Sequence, residues 1–330
     1  MGGSIYDWRG EYAKPDIPRS GQNDIVQRQT GAYLATRLKP TDDLSVILGT
    51  RVSNFSNTDT TDFYAATSTD ARTSYKQTGV VTPYAGVVYD LNDIWSVYSS
   101  YTKIYRPQNS KDADRKLLDA IEGDTYEAGL KAAFFDGRLN ASFAAFRIEQ
   151  DNVAQYVSGF ESDSIYRPIA GATTKGFEVE LAGEVLDGWN VSAGYTYQHT
   201  RDANDDYVYS SVLQTTTPQQ VVRLFNTYRL PGALDKVTLG AGVNWQSEFF
   251  GNVFQPNPND TVNFGQYARI TQDSYYLVDL MARYRFNEHL SATLNVKNAL
   301  DKKYYTGLGN FGTGFYGEPR SLQLATRWDF

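Results

Sequence analysis

The stretch "GFEVELAGE" carries three carboxylates, Glu178, Glu180 and Glu184, close behind Lys175. Residues two apart in an extended chain share a face, so Glu178 and Glu180 stand side by side, as the members of a general acid–base pair would. We expect all of them, with Lys175, on the inner face of a sheet. The polar lining of a water-filled interior needs the same residue types without any catalysis. The two histidines, His199 and His289, belong to opposite strand ends and so share neither a metal nor a triad. The acidic segments "DANDD" (202–206) and "NPND" (257–260) offer the oxygen ligands that hard cations prefer, without the periodicity of a dedicated calcium loop. No catalytic residue and no protein-held metal is assigned.

The elements that would position these groups alternate with period two. Leu44, Val46, Leu48, Thr50 and Val52 oppose Ser45, Gly49, Arg51 and Ser53, with Ile47 the one apolar intruder. Trp189, Val191, Ala193, Tyr195 and Tyr197 oppose Asn190, Ser192, Gly194, Thr196 and Gln198. The same spelling recurs over Val237–Trp245, Tyr276–Phe286, Leu290–Val296 and the closing "RSLQLATRWDF", which matches half-polar strands. The apolar faces carry no charge, whereas Arg51, Asp279, Arg283, Arg285, Arg327 and Asp329 all lie opposite. A charge facing lipid costs about 2–4 kcal/mol at the membrane midplane, which explains that segregation. Burial between two stacked sheets would explain it equally well.

Connection lengths separate those readings. Tight turns are predicted near Thr41–Asp43, Asn92–Asp93, Asp136–Gly137, Asp187–Gly188, Gly232–Leu234 and Asn287–Glu288. Between them lie long polar connections at 57–73, 107–121, 151–169, 202–216, 249–269 and 299–317. Each far exceeds the usual length of about 4–6 residues. Short and long alternate throughout, as in outer-membrane barrels with tight periplasmic turns and long external loops. The fold class read here is all-β: an antiparallel up-and-down transmembrane β-barrel portion of about thirteen strands, with Trp328 and Phe330 in an aromatic girdle.

Composition agrees. Aromatic residues make up 14% of the 330, including Tyr 25, and suit strands and apolar–water boundaries. A net charge of −7 without a basic run argues against nucleic acid as a partner. Zero cysteine rules out disulfides and thiolate metal sites. The opening "MGGSIYDWRG" lacks the basic stretch and apolar core of a signal peptide.

Several stretches together resemble the C-terminal part of TonB-dependent outer-membrane ferric-siderophore receptors of the hydroxamate and pyoverdine type. They are "TPYAGVVYDLND" with "WSVYSSYTKIYRPQ" (82–108), "TYEAGLKAAFFDGRLNASFAAFRIEQDN" (125–152), "TKGFEVELAG" (174–183), and "NVKNALDKKYY" followed by "GEPRSLQLATRWDF" (295–330). The resemblance implies a bacterial outer-membrane receptor, with strands that belong to a barrel of about 22 strands. It also implies an N-terminal plug and nine further strands beyond those read here, and coupling to an inner-membrane energy complex through a segment not found in this sequence. On that alignment the first strand starts near Asp24, residues 1–24 form an extracellular loop, and 25–330 form the C-terminal barrel part.

The ligand implied is a ferric siderophore held among the loops, with iron as its cargo and no covalent cofactor. Aromatic rings and Arg offer flat, weakly hydrated contacts for such a complex. The residues expected to provide them are Tyr6, Trp8 and Tyr12, Tyr105 and Arg106 in "IYRPQ", Trp245, Phe249 and Phe250 in "NWQSEFF", and Phe315 and Tyr316. Tyr304 and Tyr305 in "DKKYY" are expected to pack. Not an enzyme but a receptor part is the reading. A passive outer-membrane pore, a structural barrel fragment without transport, and a soluble lectin-like sandwich are the alternatives.

Overall fold

A computed structural model describes residues 16, 18–64, 71–158, 164–169, 171–201, 217–256, 265–308 and 314–330. Its strands in chain order are β1 (Gly21–Leu38), β2 (Leu44–Phe63), β3 (Ala71–Asp90), β4 (Trp95–Arg106), β5 (Ile121–Phe134), β6 (Leu139–Asp151), β7 (Val153–Ser158), β8 (Ile165–Ile169), β9 (Ala172–Leu186), β10 (Trp189–Arg201), β11 (Gln220–Arg229), β12 (Val237–Gln246), β13 (Phe249–Pro256), β14 (Gly265–Gln272), β15 (Tyr275–Arg285), β16 (Leu290–Lys297), β17 (Tyr305–Leu308), β18 (Gly314–Tyr316) and β19 (Ser321–Trp328). Thirteen of them make one sheet in the order β1-β2-β3-β4-β5-β6-β9-β10-β11-β12-β15-β16-β19. Neighbours in that sheet are neighbours in sequence once the hairpins β7–β8, β13–β14 and β17–β18 are set aside.

The tight turns fall where their composition predicts. Phe135, Asp136 and Gly137 all have positive φ (54°, 55° and 83°) between β5 and β6, and Gly188 has φ 75° between β9 and β10. Asn side chains close two others: Asn92 Oδ1 accepts the N–H groups of Ile94 and Trp95, and Asn287 Oδ1 those of His289 and Leu290.

Four of the long connections differ from open loops. Those at 151–169, 249–269 and 299–317 each carry a hairpin. The connection at 57–73 is shortened because β2 runs to Phe63 and β3 starts at Ala71. Threonine-rich chain above the lipid needs no apolar face to remain a strand, and pairing satisfies backbone groups that an unstructured loop would leave to water. β1 starts at Gly21, ahead of the expected Asp24, and β19 stops at Trp328, short of Phe330. Tyr6, Trp8 and Tyr12, with both acidic segments, lie outside the described residues.

By compactness the chain divides into Met1–Ala32 with Arg51–Val81, and Tyr33–Thr50 with Thr82–Phe330. In the first unit Asn54 is the tie, donating to Thr30 Oγ1 (3.5 Å) and accepting from Gly79 N–H (2.9 Å), and Phe55 packs on Tyr75 with ring centres 5.6 Å apart.

The second unit distributes polarity in reverse of a water-soluble protein. A cross-strand row of the apolar face runs Val179–Tyr195–Val222–Trp245–Tyr276. Leu280 and Leu294 on that face are 45% and 42% exposed, while Ser45, Thr174 and Ser291 are buried. Arg37 donates to Ser45 and Arg283 to Ser291 across the polar face. Exposed leucine over buried serine is stable only where hydrocarbon bathes the first. Among the described residues the buried apolar cluster Ile121, Val153 and Ala172, with Ile169 against it, lies at the base of β7–β8. There Gln108 Nε2 donates to the carbonyls of Asp119 and Asn152.

Placing a guanidinium on the apolar face by Leu294→Arg should destabilise the chain in lipid vesicles by about 2–4 kcal/mol. Asn295→Arg, the next residue on the polar face, should cost far less. Urea titration of both variants checks the difference.

Candidate ligand-binding site

The second unit gathers its most elaborate side-chain structure where β12 and β15 meet the β13–β14 and β17–β18 hairpins. Ser247 ends the strand pair below, its Oγ accepting the N–H groups of Gln219 (3.1 Å) and Gln220 (3.2 Å). β13 then leaves the sheet and pairs with β14, Phe249 opposite Gln272 and Phe250 opposite Thr271. The Phe250 ring is buried, and the guanidinium carbon of Arg269 lies 3.6 Å from its centre. That contact holds a cation flat on an aromatic face.

The β17–β18 hairpin is docked by several separate contacts. Gln272 Oε1 accepts the Tyr305 N–H (3.0 Å), and the Tyr304 ring lies 4.6 Å from that of Tyr275. Gly317 is required because a Cβ there would strike the Tyr304 ring. Tyr305 stacks on Tyr316 at 4.7 Å and donates its hydroxyl to that of Tyr316 (3.1 Å), which holds the Tyr305 phenol above its ordinary pKa. The Tyr304 and Tyr305 rings pack, as the sequence suggests.

Asn298 fixes the base of this connection. Buried and at φ 47°, it donates to the carbonyls of Lys302 (2.9 Å) and Glu318 (3.0 Å) and accepts the Lys302 N–H (2.8 Å). Its own N–H bonds Asp279 of β15 (2.9 Å). Asp301 adds a second clasp by accepting the Arg320 N–H (3.0 Å). One amide side chain thus joins both ends of residues 299–317 to the sheet.

These pieces enclose a cavity of about 420 Å³ lined by Gln246, Phe249, Phe250, Tyr275, Thr306 and Phe315, among others. That volume suits a ligand group in a site of about 300–1,000 Å³. Three residues singled out in the sequence meet here: Phe249 and Phe250, and Phe315 from more than sixty positions further along the chain. Tyr316 adjoins through its stack on Tyr305.

The other expected contacts stand elsewhere. Trp245 belongs to the apolar face between Val222 and Tyr276, so the cavity takes its neighbour Gln246 instead. Tyr105 and Arg106 end β4 opposite Glu122 and Ile121, away from the cavity lining. Tyr275 was not anticipated, although alternation sends it and Tyr276 to opposite faces and marks one of them as polar-side.

Glu178 and Glu180 lie on the polar face, Glu178 accepting the Thr196 hydroxyl (3.4 Å). Glu184 shares that face and accepts from Gly188 N–H and Arg138. Lys175 does not join them. It pairs with Arg147 and His199 on the face of Phe177 and Val179, because a charge beyond the lipid boundary has no reason to turn inward. His289 stacks on Trp328 (5.9 Å) at the turn end. Among the described residues no group of three His, Asp or Glu could hold a metal.

The sequence profile of the TonB dependent receptor-like β-barrel matches residues 2–299. The chain belongs to that family. Its barrel lies in the bacterial outer membrane, which is the hydrocarbon setting the exposed leucines demand. The chain is 44% identical over 99% of its length to the ferric-pyoverdine 358 receptor of Pseudomonas putida, spanning 39% of that protein. It is 40% identical over 98% of its length to the ferripyoverdine receptor of Pseudomonas aeruginosa, spanning 38% of it. A crystal structure of the Pseudomonas aeruginosa ferripyoverdine receptor bound to ferripyoverdine superimposes with a TM-score of 0.83 at 39% identity, covering 98% of this chain and 41% of that one. The chain therefore spans about two-fifths of the length of these relatives.

Asn298→Ala should leave the carbonyls of Lys302 and Glu318 without their donor, at a cost of about 1–3 kcal/mol each where water does not replace it. Amide exchange across residues 299–308 and 314–318 should accelerate at least tenfold while β15 and β16 keep their protection; mass-spectrometric exchange reads both.

Proposed function

We propose that residues 25–330 are the C-terminal part of the barrel of an outer-membrane receptor that takes up a ferric siderophore of the pyoverdine class. Residues 1–24 serve as an extracellular loop. The reading is carried by the convergence of Phe249, Phe250 and Phe315, from two separate connections, on one cavity at the loop end of the sheet. Aromatic walls give large contact area with little rotamer loss, and Arg269 over Phe250 adds a fixed positive charge for a chelate's anionic groups. The relatives named as ferric-pyoverdine receptors support the choice of ligand.

The protein's task is capture and passage rather than a chemical reaction, with iron as cargo. Its partners are outer-membrane lipid, the ferric siderophore, a plug, and the inner-membrane complex that supplies energy. Further strands complete the barrel along two edges. β1 and β19 stand at the ends of the sheet order, and every residue of β19 is exposed. An unpaired edge in hydrocarbon costs several kcal/mol per orphaned backbone group, which strands paired to β1 and β19 would remove.

Phe315 is exposed, so Phe315→Ala leaves the fold intact. Combined with Phe250→Ala it should weaken binding of a ferric pyoverdine to the detergent-solubilised chain at least tenfold, or about 1.4 kcal/mol, by titration calorimetry. Unchanged affinity, or ligand-indifferent conductance in planar bilayers with no saturable binding, would reject the reading in favour of a passive pore.

A further inference from the structure

The β17–β18 hairpin sets Tyr305 opposite Tyr316 across its ladder, and the two rings meet in a way suited to a covalent bond. Their centres are 4.7 Å apart with planes 28° from parallel, and the Tyr305 hydroxyl donates to that of Tyr316 (3.1 Å). A stack in which the hydroxyls also touch brings the carbons ortho to each oxygen beside their counterparts. Those carbons carry much of the unpaired spin of a phenoxyl radical, and two such radicals join there.

The pair is held in place from several sides. Gly314 lies against the Tyr305 ring, where a Cβ would stand 2.6 Å from Cε1. Gln272 Oε1 accepts the Tyr305 N–H (3.0 Å), and the Thr306 hydroxyl donates to the Phe315 carbonyl (3.0 Å). An oxidant can reach the pair as well, since Tyr316 is 70% exposed.

Other tyrosine pairs among the described residues fail one of these conditions. Tyr275 packs as closely on Tyr304 (4.6 Å) but is only 8% exposed. Tyr101 and Tyr126 are 5.5 Å apart and tilted by 44°, with the Tyr101 hydroxyl turned to Asp124. Tyr156 meets Tyr166 edge-on at 6.0 Å. The chain has 25 tyrosines and no cysteine, so a covalent tie between its segments must come from chemistry other than a disulfide.

We propose that Tyr305 and Tyr316 are a site of oxidative cross-linking, joined as dityrosine by a peroxidase-type one-electron oxidant fed with hydrogen peroxide. Each phenol loses one electron and its hydroxyl proton, and the two radicals form a carbon–carbon bond between ortho positions. The hydrogens on those two carbons then move to the oxygens and restore both phenols. Hydrogen peroxide takes up the two electrons and two protons and leaves as two molecules of water. The bond closes the hairpin around Thr306 and Phe315, which line the cavity, so that this wall is fixed before any ligand arrives. The site is independent of what the cavity binds.

The test treats the 330-residue chain in detergent micelles with a haem peroxidase and hydrogen peroxide. Cleavage after Lys303 and Arg320 should release peptide 304–320 lighter by two hydrogen atoms, with backbone fragments missing between Tyr305 and Tyr316 in tandem mass spectra. Tyr305→Phe and Tyr316→Phe should each abolish that product and its dityrosine fluorescence, whereas Tyr304→Phe should keep both. Gly314→Ala retains both phenols but crowds the Tyr305 ring, and it should lower the yield; circular dichroism confirms that each variant keeps its strands. An unmodified 304–320 peptide, a product that survives Tyr305→Phe, or one that joins two chains and fades on dilution would overturn the proposal.

Discussion

A peptide group in hydrocarbon has no water to bond, and every strand of this chain is arranged around that fact. Backbone donors and acceptors must find each other across a ladder, so the thirteen strands of the main sheet pair in chain order from β1 to β19. Because each strand has lipid on one side, its side chains must sort by face. Leucine and valine lie exposed on one surface while Ser45, Thr174 and Ser291 are buried on the other. The same constraint makes β1 and β19 conspicuous, since each has a neighbour on one side only in the sheet order.

Beyond the lipid the constraint lifts, and the chain builds differently. The connections above β6–β9, β12–β15 and β16–β19 fold into hairpins that bury apolar groups and tie their own backbone. Gln108 links two carbonyls at one such base and Asn298 two at another, so a single amide substitutes for many ladder bonds. Rigid strands below and clasped hairpins above hold Phe250, Tyr275 and Phe315 around one cavity. Loops that carry recognition need this support, because an aromatic wall that must be ordered on binding loses part of its affinity to that ordering.

Much of this was legible in the residues. Strand faces could be read from Tyr276–Phe286 and Leu290–Val296 because lipid and lumen impose opposite polarity at every second position. The turns at Asn92 and Asn287 could be read because a side-chain acceptor at that place closes a reversal by itself. Lys175 departs from the expectation that charge marks the interior, because above the lipid boundary the outer face is equally wet. The hairpins escaped notice for a different reason. β17 and β18 are four and three residues long, too short for a periodic signal, and what fixes them is contact with Gln272, Tyr275 and Asn298, distant in sequence. Phe249, Phe250 and Phe315 were identifiable as types, but their convergence depended on those same non-local contacts.

The account stands on one face of the sheet touching lipid and the other touching water, and nitroxide scanning along β15 tests that most directly. Labels placed singly from Leu277 to Arg283 in lipid vesicles would be probed with oxygen, which concentrates in hydrocarbon, and a nickel chelate, which stays in water. The account predicts oxygen maxima at Val278, Leu280 and Ala282 and nickel maxima at Asp279, Met281 and Arg283. Labels at Val278, Leu280 and Ala282 shielded from both relaxants, as between two sealed sheets, would contradict it.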